Sequence, residues 1–471
     1  MSQSDAQSND GALKVGLEIH GYILVSQKLF CDCAISESDT TPPNTNICPV
    51  CTGQPGSKPM LTNKIALEKS IQIGLMLGCK INPRLMFQRK HYSWPDSPNN
   101  YQRTMSGSYA SPVGEHGSFE GIRIRQVHLE EDPAKWDPNT GRIDYNRAGF
   151  PLIEIVTEPD FTTPEQVKEW LQKLVTTLSF IKTLNKTAGI KCDVNVSIAP
   201  KYERVEIKNV NSQTAIVEAI LCEQKRQIEE VAQGKTIPMQ TRAWNDDEKI
   251  TQFMRSKESA EDYMFIPDPD IPFVNVDEKY LASLKAVLPE PPSVKKQKLI
   301  ANGLSADTSD TISRSYNLIT AFETGTGKSY NISAGITGST LSKEVVNYAA
   351  TRNIDVDDVT LNKPFFNLLK HADIKKITIQ TMQKIFKKEF PFEDSLDIHN
   401  YVQAQNLYSV SDDGALEAMC KKAIDANPKA VADYKAGNEN SFNFLIGQVM
   451  RESKGAAKPD VLRPIMKKLL N

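Results

Sequence analysis

The chain has 471 residues, 39% hydrophobic and 24% charged, with a formal net charge of −2. That composition supplies cores for several domains at ~100–200 residues each and excludes a disordered chain. It also excludes a uniformly basic nucleic-acid binder, so any RNA contact must use local patches or a partner's surface, and no apolar run reaches the ~18 residues of a membrane span.

Residues 1–12 are polar and acidic and read as a loose tail, neither a signal peptide nor an Arg-rich transit peptide. From Leu13 to about residue 290 the texture is mixed, with short alternating runs, Pro/Gly turns and a few helices. Val15-Gly-Leu-Glu-Ile-His20 alternates, so Leu17 and Ile19 point one way and Glu18 and His20 the other. Eight cysteines are present. Four cluster as Cys31-x-Cys33 and Cys48-x-x-Cys51, a spacing that suits four thiolates on one structural zinc ion, among turn-forming residues such as Pro42, Pro43 and Gly53. Cys79, Cys192, Cys222 and Cys420 are scattered, which argues against a disulfide scaffold and for a reducing compartment.

Between Ile122 and Asp132 the parity changes: Ile122 and Ile124 share one face, Val127 and Leu129 the other. A β-bulge near Gln126 explains the switch and re-aims the residues that follow, His128, Glu130, Glu131 and Asp132. Thr163-Pro164-Glu165-Gln166 carries helix-start signals, and Leu171, Leu174, Leu178, Ile181 and Leu184 continue it at helical spacing. Residues 193–198 and 204–208 form an antiparallel pair, with Val194, Val196, Ile198, Val205 and Ile207 on one face and Asp193, Asn195, Glu206 and Lys208 on the other. After Pro289-Glu290-Pro291-Pro292 helical periods dominate, with a further shift near residue 400.

Glu18, His20, Glu130, Glu131, Asp132, Asp193 and Glu258 form an acidic set suited to Mg²⁺, and Lys208, Arg255 and Lys257 are cations available to phosphates. Each residue alone also suits a solvated strand face, and spacing does not assemble the site. Thr324-Gly-Thr-Gly-Lys-Ser329 imitates a phosphate loop, but Phe322 stands where a glycine is required. Lysines at 370–388 and basic residues at 454–468 suit phosphate contact or an ordinary solvated helix face.

A family resemblance rests on many ordered segments. They include Val15-Gly-Leu-Glu-Ile-His20, Lys28-Leu-Phe-Cys31, Cys48-Pro-Val-Cys51, Arg89-Lys-His-Tyr92, His128-Leu-Glu-Glu-Asp132, Asp144-Tyr-Asn-Arg-Ala-Gly149, Pro151-Leu-Ile-Glu-Ile-Val156, Cys192-Asp-Val-Asn-Val-Ser197, Glu206-Ile-Lys-Asn-Val-Asn-Ser212, Arg255-Ser-Lys-Glu258 and, near the end, Gly447-Gln-Val-Met450. Together they resemble the B-subunit family of Asp/Glu-tRNA amidotransferases.

The resemblance implies an ATP- and Mg²⁺-dependent enzyme that phosphorylates the γ-carboxylate of Glu-tRNA(Gln) and amidates it with ammonia from glutamine. Implied partners are the amidase (the A-type component of such assemblies) and a small third subunit. Carried over by motif, Glu18, His20, Glu131, Asp193 and Glu258 become the Mg²⁺ site with Glu130 beside them. Lys208 and Asn209 become ATP-side residues, and Cys31, Cys33, Cys48 and Cys51 match the zinc-bearing branch. His91 and Ser93 depart from bacterial members, as does the polar run 335–340, and suggest an organellar protein of the mitochondrial matrix, otherwise cytoplasmic. The fold expected is α+β: a mostly antiparallel, cradle-like catalytic domain over 13–290 with a Cys₄ insertion at 31–51, a helical domain over 291–400 and a tRNA-binding tail domain over 401–471. Two other readings stay open, a non-catalytic zinc-containing tRNA scaffold and a stand-alone carboxylate–amine ligase.

Overall fold

The computed structural model describes residues 12–35, 41–181, 183–184, 190–210, 212–256, 264–408, 413–453, 457 and 459–470. The chain divides into two units, Met1–Pro291 and Pro292–Asn471. The first unit is built on one twelve-stranded sheet. Ten of its strands form a continuous path: β1 (Leu13–Tyr22), β2 (Gln88–His91), β3 (Tyr101–Thr104), β4 (Ile122–Glu131), β5 (Pro151–Thr157), β6 (Ile190–Ile198), β7 (Val205–Val210), β8 (Gln240–Asn245), β9 (Ile250–Ser256) and β10 (Met264–Pro267). Their spatial order is β9-β8-β7-β6-β1-β5-β4-β3-β2-β10. Every neighbouring pair on this path is antiparallel except β7 and β8, which are joined by the long helix Gln213–Ala232. A parallel pair needs such a crossover.

The two edge strands reveal a curl. Ser256 ends β9 on one edge and Met264 begins β10 on the other. Eight peptide steps reach at most about 28 Å, whereas nine strand spacings laid flat span about 43 Å. The sheet therefore wraps toward itself as a cradle.

One sheet face is apolar and covered. Leu17, Ile19, Val127, Leu129, Ile153, Ile155, Val194 and Val196 are buried with residues of three helices, α1 (Lys64–Met76), α2 (Pro164–Phe180) and α3 (Gln213–Ala232). Helix α2 starts as its sequence demands: Thr163 Oγ1 accepts from the Gln166 N–H at 3.2 Å, and Gln166 Oε1 reaches back to the Thr162 N–H at 2.9 Å. It stops at Phe180, one turn before the apolar spacing does. Ile181 caps it, and Leu184 instead makes a β-bridge to Ile23, because the end of β1 offers the backbone a partner there.

The parity switch in β4 is a bulge. Val156 lies opposite Gln126 and Thr157 opposite Ile124, so Arg125 is the extra residue. The 193–198 and 204–208 segments pair antiparallel, with Asn195 opposite Glu206.

The second unit is helical in its described residues. Tyr316–Thr326 is a helix that ends within the false phosphate loop. The polar run 335–340 is also helical and leads into a π-helical turn at Thr340–Val345. The last four helices, Asp413–Ala426, Pro428–Lys435, Glu439–Glu452 and Pro459–Leu470, share a core of their own around Leu416, Phe442, Val449 and Met466. The fold is α+β, with a large mostly antiparallel sheet followed by helices.

Candidate active site

The open face of the sheet carries the chemistry. On β1, Glu18 and His20 stand opposite the buried Leu17 and Ile19. His20 faces Glu154 on β5, which faces His128 on β4. Glu154 Oε2 lies 2.8 Å from His128 Nε2 and 3.4 Å from His20 Nε2, and Glu130 Oε2 lies 4.0 Å from His128 Nε2. His20, Glu130 and Glu154 offer ligand atoms that all lie within 4.8 Å of one another.

The electrostatics follow. Burial opposes a charged His20, but its hydrogen bond to Glu154 and the charges of Glu154, Glu130 and Asp193 outweigh that and raise the imidazole to about 9. Burial likewise opposes ionised Glu154, yet the two histidines hold it well below the ordinary carboxylate range. Glu130 is pushed up by burial and by Glu154.

A second cluster adjoins the first. Glu18, Asp193 and Glu206 also lie within 4.8 Å of one another. Asn195 Nδ2 donates to Glu18 Oε1 at 3.0 Å, and Thr241 Oγ1 donates to Glu206 Oε2 at 2.9 Å. A register shift in the β6–β7 pair falls at Asp193, between the Cys192–Val210 and Val194–Ile207 pairs. The Lys208 ammonium bonds Asp193 and lies 3.6 Å from Glu206, which raises its pKa despite burial. Burial, with the charges of Glu154 and Glu206, pushes Glu18 up. Arg255, on the edge strand, stands in register with Thr241.

An all-oxygen set of this kind fits Mg²⁺. The imidazole with two carboxylates fits a divalent ion more generally, and His128 behind Glu154 supplies the outer hydrogen bond that orients a ligating carboxylate. Among the described residues His128 Nδ1 is buried without a hydrogen-bond partner.

Glu131 is not brought to either cluster. It follows Leu129 in parity and turns to the other face, where Arg103 meets it through the backbone N–H at 3.1 Å and Nη1 at 3.3 Å. Arg103 also pairs with Asp268 at 3.0 Å, and Arg89 joins Asp268 at 3.1 Å. Glu131, Asp132, Tyr92 and Cys51 line one small recess. The Asp132 carboxylate accepts from the Tyr22 hydroxyl at 2.6 Å and pairs with Arg147 at 3.0 Å. Lys257 and Glu258 lie outside the described residues.

The four cysteines converge. Cys31, Cys33, Cys48 and Cys51 place their sulfurs within 4.8 Å of one another, and all four are free thiols. Cys48 Sγ and Cys51 Sγ are 3.8 Å apart. A tetrahedron with Zn–S bonds of ~2.3 Å has edges of ~3.8 Å, so the sulfurs fit zinc. Cys51 Sγ accepts from the Cys48 N–H at 3.2 Å and from the Lys28 ammonium at 3.4 Å. Hydrogen bonding from Cys31, together with Cys48 and Lys28, holds the Cys51 thiol down at about 4 against the effect of burial. Gly53, at φ +66°, closes the knuckle against Pro98; a Cβ there would lie 2.2 Å from the Pro98 carbonyl oxygen.

A family model described as the GatB/GatE catalytic domain matches residues 13–282, and one described as a GatB domain matches residues 322–470. The chain belongs to the GatB family. It is similar to the B subunit of the aspartyl/glutamyl-tRNA(Asn/Gln) amidotransferase of Methanococcus aeolicus, 38% identical over 98% of this chain and 99% of the relative. The B subunits of the same name from Methanopyrus kandleri and Methanocaldococcus jannaschii are 36% and 37% identical, each covering 98% of this chain.

These GatB relatives are archaeal, and archaea have no mitochondria, so the expected place in the mitochondrial matrix is overturned.

Three residues at these two clusters, Glu154, Glu206 and His128, lie in segments that carry the resemblance but outside the candidate set drawn from them. Glu154 is a lone carboxylate in the apolar run Pro151-Leu-Ile-Glu-Ile-Val156, and that isolation was the available signal. Glu206 shares parity with Lys208. His128 shares parity with Glu130.

Proposed function

We propose that this chain is the B subunit of a glutamine-hydrolysing tRNA amidotransferase, a carbon–nitrogen ligase, and that it activates the side-chain carboxylate of Glu-tRNA(Gln) with ATP. The observation that carries this reading is the pair of adjoining acidic clusters on one open sheet face, joined through Glu18 and His20, which are two residues apart on β1. A carboxylate is a poor acyl donor. Its oxygen attacks the γ-phosphorus of ATP, the bond to ADP breaks, and an acyl phosphate forms. Ammonia then attacks the acyl carbon, the carbon–oxygen bond breaks, and phosphate leaves.

The residues fit those demands. Glu18, Asp193 and Glu206 would hold Mg²⁺, while His20, Glu130 and Glu154 would hold a second divalent ion, with His128 orienting Glu154. A divalent ion in such a site neutralises charge on the transferring phosphoryl group. Lys208 bridges Asp193 and Glu206. With an ion on those carboxylates its ammonium is available to a phosphate, and Arg255 in the neighbouring row extends the cationic edge. Asn209, beside Lys208 on β7, completes the proposed ATP-side set. Zinc on the four cysteines is structural, because four thiolates leave no open position for a substrate. The amidase partner supplies ammonia, a small third protein joins the two, and the helical residues 291–400 and the tail domain 401–471 engage the tRNA.

The decisive experiment is amidation of Glu-tRNA(Gln) by the chain assembled with its amidase partner, with free ammonia replacing glutamine. Glu154→Gln should lose about 100-fold or more in Gln-tRNA formation, while glutamine hydrolysis by the assembly persists. Equal ammonia-dependent amidation by wild type and variant would return the chain to the scaffold reading.

A further inference from the structure

Lys28 heads the fully buried side chains by volume, at 1% exposure. Lysine is almost never buried unless paired. Among the described residues its ammonium meets no carboxylate. It donates to the Tyr145 carbonyl oxygen at 3.1 Å and to Cys51 Sγ at 3.4 Å. A carbonyl dipole does not balance a buried charge, so among the described residues the sulfur cluster is the group that can supply the anion. Four neutral thiols cannot, and neither can a pair of disulfides, whereas a thiolate at Cys51 supplies one negative charge beside Lys28. Four thiolates on a divalent ion can, because they leave two negative charges in excess.

We propose that Lys28 is an integral part of the Cys31/Cys33/Cys48/Cys51 metal site, its ammonium donating to the Cys51 sulfur and offsetting one of those two excess charges. The site is thereby matched to a divalent ion such as zinc, and Lys28 tightens its hold. Lys28 acts through Cys51 and is a positioning residue, not a ligand.

The architecture supports the role. The cysteine segment is stitched to residues 143–149: Asn146 Oδ1 accepts from the Thr45 and Asn46 N–H groups at 2.9 Å each, and Asn146 Nδ2 donates to the Pro42 carbonyl at 2.8 Å. Lys28 spans the seam, bonding the sulfur on one side and Tyr145 on the other. The same stretch reaches the end of β4, where the Gly149 N–H donates to the Asp132 carbonyl at 2.9 Å. This inference rests on the tetrathiolate reading of the cysteines and is independent of the ATP site.

The test uses the full chain, with zinc content from elemental analysis, zinc affinity from competition with a chromophoric chelator, and the absorption spectrum of the cobalt-substituted form. Lys28→Met removes charge and donor; Lys28→Gln keeps an N–H donor without charge. Wild type should hold one zinc, Lys28→Met should bind it about 10–100-fold more weakly, and Lys28→Gln should fall between. The thiolate-to-cobalt bands should move to lower energy in Lys28→Met as the donor to sulfur is lost. Metal-free Lys28→Met should be at least as stable as metal-free wild type, since a buried ammonium has gone, while the metal-loaded variant should be the less stable of the two. Wild-type affinity in Lys28→Gln or Lys28→Met, or an equal loss of stability with and without metal, would overturn the role of Lys28. Failure of zinc-supplemented wild type to hold metal would overturn the tetrathiolate reading itself.

Discussion

Glu130 and Glu131 are adjacent in sequence and belong to different environments. Glu130 shares a face with His128 and stands by Glu154 among carboxylates and histidines, while Glu131 neutralises Arg103, whose side chain is 4% exposed. Removing Glu131 leaves Arg103 with Asp268 as its carboxylate and takes away charge-assisted hydrogen bonds worth about 1.5–3 kcal/mol. Glu131→Ala is therefore expected to lower the thermal midpoint sharply, and Glu130→Gln to leave it near wild type or above. In manganese titrations followed by electron paramagnetic resonance the order should reverse, with Glu130→Gln weakening the ion. A stable Glu131→Ala chain that has lost the ion would reverse these assignments. The division was legible in part: alternation places Glu130 with His128 and Glu131 with the core residues Val127 and Leu129. Motif resemblance obscured it by carrying Glu131 into the metal set. The reach of Arg103 to that carboxylate, and of Asp268 to the same guanidinium, was not legible, because they come from distant segments.

At the scale of elements, the bulge at Arg125 decides which side chains of β4 face the open site. A one-residue change of register sends every side chain of a strand to the opposite face. Without the bulge, His128 and Glu130 would point into the helices and Val127 and Leu129 into the place of the buried His128 and Glu130 on the opposite face. Deleting Arg125 sets the hydrophobic pattern of the second half of β4 against the register fixed by β5. The expected outcome is loss of the cooperative thermal transition or of the divalent-ion site, read by calorimetry and manganese binding. A deletion variant that melts like wild type and binds manganese equally would show that the bulge does not aim the cluster. Sequence parity located this feature to within a residue, at Gln126 instead of Arg125. The end of α2 was less legible, since the apolar spacing runs on to Leu184 while the backbone leaves the helix to bridge Ile23.

At the scale of the molecule, the first unit carries a large core of sheet and helices, and the last four helices carry another. The unit boundary falls between Pro291 and Pro292, where a texture change and a proline cluster stand in the sequence. Residues 12–291 and 292–471, expressed separately, should each unfold cooperatively in calorimetry, and the first should retain zinc and manganese binding. A first fragment that is soluble only in the presence of the second would refute independent folding.

Local chemistry was enough to determine the class of the fold, the two faces of β1, β6 and β7, the start of α2, and the convergence of the four cysteines. Each depends on alternation, capping or spacing within a short stretch of chain. Tertiary structure alone decided that His20, Glu154 and His128 form one row across three strands, that Lys208 sits between Asp193 and Glu206, that Lys28 is buried against Cys51, and that the sheet curls until its edges can be joined by eight peptide steps. Those features depend on strand register and on contacts between segments tens to hundreds of residues apart, and no local pattern encodes which strand becomes whose neighbour.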